Sequence, residues 1–148
     1  MTDQTATTVT VNGAPGTVTP GVPGTINFSA TVPLTNEGSN AILVTAIDAA
    51  GNRTDSTRTV IRDTNPPQIT ITAPVDRLFT NVDSVTITGT VTDLTAITAN
   101  INGVPLTLGT GGAFSARVAL TTGANFLIVA ATDAAGNAAT ITRTVTQD

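Results

Sequence analysis

The side chains in this chain that could carry acid, base or ionic chemistry are Glu37, nine Asp and six Arg, and there is no His, Cys, Lys, Trp or Tyr. Without imidazole or thiol there is no Ser-His-Asp triad, no thiolate or imidazole metal centre and no disulfide framework. One Glu among scattered Asp supplies no evident carboxylate pair across a cleft for glycoside hydrolysis. No catalytic residue is assigned, and the chain is expected not to be an enzyme.

Asp48 and Asp133 share the strand parity of the inward residues Val44, Ala46, Val129 and Ala131, so each carboxylate should sit where its strand runs into a Gly-Asn turn. One reading is an Asx-type cap on the turn backbone. The other is calcium, which takes about 6 to 8 oxygens; Asp48, Asn52 and Asp63 could contribute around an interdomain junction, with Asp93 from the second unit. Calcium is the one cofactor considered, and no Asp-x-Asp-x-Asp loop accompanies it. Arg58 and Arg143 lie in equivalent final strands beside Val60 and Val145, where their methylene stems would cover the sheet; the alternative is anion binding. Gly109-Thr110-Gly111-Gly112 is a flexible loop and not a nucleotide cradle, since neither Lys-Ser/Thr nor a helix follows. Sugar faces stack on exposed Trp or Tyr, and the chain has neither. Asn27-Phe28-Ser29 and Asn52-Arg53-Thr54 fit the N-glycosylation pattern and are read as chance.

The elements that hold these residues are legible from a repeat. Ala46-Ile47-Asp48-Ala49-Ala50-Gly51-Asn52 recurs as Ala131-Thr132-Asp133-Ala134-Ala135-Gly136-Asn137, and the same offset carries Arg58-Thr59-Val60 onto Arg143-Thr144-Val145 and Asp63 onto Asp148. Phe28-Ser29-Ala30 matches Phe114-Ser115-Ala116, and Val11-Asn12-Gly13 matches Ile101-Asn102-Gly103, with the drift in offset falling between motifs as loop insertions do. Two homologous units are expected, over 1–63 and 68–148, joined by a Pro-rich linker at 64–67. Period-two alternation in the second unit predicts seven strands, at about 69–72, 85–92, 97–101, 104–108, 114–120, 126–132 and 139–146. Asn102-Gly103 is a type I′ hairpin signal, because both central residues need positive φ. Seven short strands in so few residues imply an all-β, two-sheet sandwich. The first unit lacks counterparts of 69–72 and 85–92 and is therefore read as shortened. Three explanations stand for it: a cut inside a repeat, a self-sufficient five-strand unit, or a strand donated by a neighbouring molecule.

The series Asn102-Gly103, Phe114-Ser115, Gly123-Ala124-Asn125, Asp133-Ala134-Ala135-Gly136-Asn137 and Arg143-Thr144-Val145 resembles bacterial immunoglobulin-like (Big-type) tandem repeats of secreted and cell-surface proteins. Asp63-Thr64-Asn65-Pro66-Pro67 looks like the junction between such repeats. The resemblance implies tandem immunoglobulin-like sandwiches and spacing, display or weak binding instead of catalysis. It also implies calcium at junctions in some giant adhesins, although several of those ligand positions have no match here.

Charged residues are 11% of the chain, Thr occupies 33 positions, and the net charge is −4 with a pI near 4.4. Such a surface is largely hydroxyl, and it lacks the clustered Lys or Arg that nucleic acid or an anionic membrane requires. The longest apolar run, about Phe126 to Ala131, is too short to span a membrane as a helix. Thr2, Asp3 and Gln4 lead into polar residues where a signal peptide would have an apolar run, and a sole Met at position 1 suggests a start placed on an excised fragment. Composition leans to an extracellular or cell-surface setting in bacteria. The expected role is a structural spacer or adhesin-like stalk whose partners are neighbouring repeats. The alternatives are an assembly module with an open strand edge, or an accessory domain of a secreted carbohydrate-active enzyme.

Overall fold

The computed structural model describes residues 7–22 and 24–148. The expectations about a start residue and a signal peptide fall on positions 1–4 and lie outside the described residues. The described residues are all-β apart from one short 3-10 turn at Thr110–Gly112, and the chain divides into two compact units, Met1–Arg62 and Asp63–Asp148. The division falls one residue before the sequence-based boundary, because Asp63 is tied into the second unit: Thr95 Oγ1 donates to its Oδ2 at 2.8 Å and Asn137 Nδ2 donates to its backbone carbonyl at 3.2 Å.

The first unit contains β1 (Thr8–Val11), β2 (Ala14–Pro15), β3 (Thr17–Pro20), β4 (Ile26–Ser29), β5 (Gly38–Ile47) and β6 (Arg53–Arg62). They form a four-stranded sheet in the order β2-β1-β5-β6 and a separate two-stranded pair, β3-β4. The second unit contains β7 (Gln68–Ala73), β8 (Leu78–Thr80), β9 (Ser84–Thr92), β10 (Ile97–Ile101), β11 (Val104–Leu106), β12 (Ala113–Ala119), β13 (Gly123–Asp133) and β14 (Ala138–Gln147). Here a sheet ordered β11-β10-β13-β14-β8 accompanies a three-stranded sheet ordered β12-β9-β7.

Alternation decides which side chains go inside. On β13, Leu127, Val129 and Ala131 are buried while Phe126 and Ile128 face out; on β9, Ile87, Gly89 and Val91 are buried between exposed or half-buried Thr. Together with Ile71, Ile101, Phe114, Leu120 and Val145 they make one apolar core between the two sheets. The packing is close enough to require glycine at one point. A Cβ on Gly89 would run into the Thr70 carbonyl and lie 2.8 Å from the Phe114 ring, so the ring fills the space that a side chain would need. In the first unit, Val9 and Val11 are the buried apolar side chains among the described residues.

All seven strands expected in the second unit are present, with ends shifted by a few residues. The eighth, β8, is new: three residues pair in parallel with β14, Val145 opposite Leu78 and Gln147 opposite Thr80. The hairpin signals act as expected. Asn12 and Gly13 have φ of 49° and 80°, Asn102 and Gly103 have 48° and 83°, and each pair closes a two-residue turn.

Candidate functional site

Three polar side chains act as backbone staples, and each occurs once in both units. Asn102 Oδ1 accepts from the Ile128 amide and Asn12 Oδ1 accepts from the Leu43 amide, both at 2.8 Å, so each turn residue also reads the neighbouring strand. Asn125 Nδ2 donates to the carbonyls of Thr121 and Gly123, as Asn40 Nδ2 does to Asn36 and Gly38. Asp133 receives Asn137 N on Oδ1 and Asn137 Nδ2 on Oδ2, each at 2.8 Å, and Asp48 receives Asn52 in the same two ways at the same distances. Both carboxylates therefore cap their Gly-Asn turns, which is the Asx-type role expected of them.

The sequence-derived calcium set is divided between the units. Asp48 and Asn52 belong to the first unit, where they bond to each other. Asp63 and Asp93 belong to the second, where they meet a carboxylate outside that set: one oxygen each from Asp63, Asp93 and Asp133 lies within 4.8 Å of the others. Thr95 organises this group. Its single hydroxyl is shared between Asp63 Oδ2 at 2.8 Å and Asp93 Oδ2 at 3.2 Å, while its amide donates to Asp93 Oδ2 at 3.0 Å. Asp93-Leu94-Thr95 is a recognisable Asx turn in sequence. Its neighbours are 30 and 40 residues distant along the chain, which is why spacing could not assemble the trio.

Burial, acting first, raises the proton affinity of Asp133, and the Asn137 side chain and the Asn137, Gly136 and Ala135 amides outweigh it, so its carboxyl is held below the usual range. Three hard carboxylate oxygens at this separation repel one another and suit a divalent oxygen-loving cation such as Ca²⁺, for which they would supply about half of the 6 to 8 oxygens required.

Arg143 and Arg58 differ in what they reach. Arg143 Nη2 donates to the Ile71 carbonyl at 3.2 Å, linking β14 to the opposite sheet, and its Nε is buried without a partner. Arg58 is exposed. The first unit also carries an apolar hollow of about 320 Å³, lined among others by Phe28, Leu34, Ile42, Val44 and Val60. No helix among the described residues is long and apolar enough to cross a membrane.

Comparison with known proteins gives this geometry a family. The model of glucodextranase domain B matches residues 1–64 and, separately, residues 67–148. That family is one of immunoglobulin-like β-sandwich domains, a coarser assignment than the Big-type repeats suggested by the motifs. Bacillopeptidase F of Bacillus subtilis (strain 168) is 36% identical over 106 residues, which is 71% of this chain and 7% of that protein, so the chain spans a small part of the relative's length. Among solved structures, the fibronectin(III)-like modules of Clostridium thermocellum CbhA align at a TM-score of 0.46 and 15% identity, over 98% of this chain and 80% of theirs. Extracellular cadherin domains 1–4 of protocadherin gamma B7 align at 0.45 and 18% identity, over 95% of this chain and 40% of theirs.

Proposed function

This chain belongs to the glucodextranase domain B family, and from that premise we propose that it is a non-catalytic spacer module of a longer, secreted bacterial protein, setting the distance between other parts and acting on no substrate itself. The observation that carries this reading is the doubled match, once over 1–64 and once over 67–148, in a chain without His or Cys. A module used in series does its work through its length and its junctions, and it needs no cleft. On this reading the units are tandem immunoglobulin-like sandwiches, the first shortened and joined to the second through Thr64-Asn65-Pro66-Pro67, whose prolines restrict the backbone. The family name and the peptidase relative favour a place beside a secreted hydrolase over an adhesin stalk.

The test is to incubate the purified chain with insoluble α-glucans and with denatured protein, and to measure both co-sedimentation and product release. Neither is expected. Turnover abolished by changing one Asp would overturn the non-catalytic reading, and saturable retention on the glucan would replace the spacer with a binding module.

Calcium enters this reading through Asp63 and Asp93 with Asp133 beside them, while Asp48 and Asn52 serve their own turn. Calcium at a hundred times its dissociation constant would add about 2.7 kcal/mol to folding of the second unit. Identical melting curves in excess calcium and in chelator would remove calcium from the account.

A further inference from the structure

The hollow in the first unit is one half of a sandwich core. Sequence repetition places Phe28, Leu34, Ile42, Val44 and Val60 opposite Phe114, Leu120, Leu127, Val129 and Val145 of the second unit. The second set is buried: Phe114 is 4% exposed and Val145 is 0% exposed. Their first-unit counterparts, Phe28 and Val60, are 47% and 37% exposed. Equivalent apolar side chains thus make an interior in one unit and a partly open face in the other, where Leu34, Ile42 and Val44 are half-buried and Phe28 and Val60 exposed.

The second unit also displays what covers such a face. Strands β7 and β9 bring Ile71, Ile87 and Val91 onto the core, and β9 pairs along the whole of β12, with Gly89 opposite Phe114 and Val85 opposite Val118. In the first unit β4 holds the place of β12, its single strand partner is β3, and no described strand takes the place of β7 or β9. One edge of β4 is therefore left without ladder partners beside an apolar hollow. The Arg pair records the same loss, since Arg143 bonds to Ile71 of β7 while Arg58 is exposed.

We infer that the open face of the first unit is an acceptor for a β-strand pair of the chain's own repeat sequence, of the type Gln68–Thr92, which adds a strand to β4 and seats its Ile and Val residues on Phe28, Ile42, Val44 and Val60. This goes beyond the spacer reading and does not depend on it. Main-chain pairing along the free edge supplies affinity, and alternate apolar side chains entering the hollow supply register. The phase of the repeat sets the order in which such a pair is joined: Thr92-Asp93-Leu94-Thr95-Ala96 in the second unit corresponds to Thr2-Asp3-Gln4-Thr5-Ala6 in the first, so the position equivalent to that of Gln68–Thr92 is the one directly ahead of Asp3.

The experiment compares the chain as it stands with one in which a second copy of residues 63–92 is joined directly ahead of Asp3. Binding of the dye ANS and amide exchange at Ile42 and Val44 are read in both. In the extended chain, dye fluorescence should fall several-fold and exchange at these amides should slow at least tenfold. A control extension in which the added copies of Ile71, Ile87 and Val91 are each replaced by Asn should do neither. Equal dye binding and equal exchange in the extended and unextended chains would overturn the inference. Should the extended chain aggregate, a synthetic Gln68–Thr92 peptide added to the unextended chain replaces it, and an unchanged signal at millimolar peptide overturns the proposal equally. Light scattering on the unextended chain distinguishes the source. A mass that stays monomeric with rising concentration is expected, whereas dimers that mask the dye site would make a second copy the occupant and overturn the in-line assignment.

Discussion

Val145→Ala and Val60→Ala delete the same atoms at positions that the repeat equates, yet they should differ widely in cost. Val145 is 0% exposed and sits in the core with Leu127, Val129 and Ile87. Losing two buried methylene equivalents removes about 1.6 kcal/mol of transfer free energy, at about 0.8 kcal/mol per group. The rigid surroundings add the cost of a void that they cannot close, bringing the expected loss to about 2–3 kcal/mol. At Val60, 37% exposed over an open hollow, water already reaches the site and no closed void forms, so about 0.5 kcal/mol is expected. The two units need not unfold together, so the assay must resolve them, and amide exchange measured by NMR under native conditions gives an opening free energy for each. In a thermal scan, the Val145 variant should lower the melting of its own unit by about 10–20 °C, using about 4–8 °C per kcal/mol for a domain of this size. Equal losses at the two positions, or a larger loss at Val60, would refute the contrast between a closed and an open core.

Other substitutions probe the close approach, the turns and the acid limb. Gly89→Ala forces a methyl against the Thr70 carbonyl and the Phe114 ring and should destabilise the second unit by about 1–3 kcal/mol or more, read as a lower denaturation midpoint at unchanged slope. Asn102→Gly keeps the left-handed turn but deletes the bond from Ile128 N, whereas Asn102→Ala loses both; a loss of about 1 kcal/mol for Gly and a larger one for Ala is expected in urea unfolding. The Asp133 carboxyl lies below its usual range in the folded state. Its contribution is therefore complete above the unfolded carboxylate pKa of about 4 and is lost as pH falls through the lower folded value. Acid titration of the second unit should accordingly show a stability loss below about pH 4 that is smaller in Asp133→Asn.

Sequence reading reached the strands because their information is local. Val85, Ile87 and Val91 alternate with Thr, and Asn102-Gly103 fixes a turn by its φ requirement alone. It missed β8, where Leu78-Phe79-Thr80 is too short to show a period and pairs in parallel with residues 67 positions away. The site divides in the same way. The Asp48 and Asp133 caps could be read from their own turns, because each acceptor meets donors four residues on. The approach of Asp63 and Asp93 to Asp133 depends on three separate chain segments meeting in one unit, which no spacing encodes. Asp48 and Asn52 bond to each other within the first unit, and Asp63 is fastened through Thr95 and Asn137 to the unit that follows it.

The short parallel pairing of β8 with β14 bears on how a member of a chain under tension would resist it. A pull on Asp148 draws β14 forward along its axis while the resisting chain draws β8 back, so the pairings of Leu78, Phe79 and Thr80 with Val145, Thr146 and Gln147 are loaded side by side in shear and must rupture together. In the first unit the described strands include no parallel pair: β6 is bonded to β5, and β1, on the other side of β5, runs in the same direction as β6, so the same pull is passed along the antiparallel β6-β5 and β5-β1 ladders.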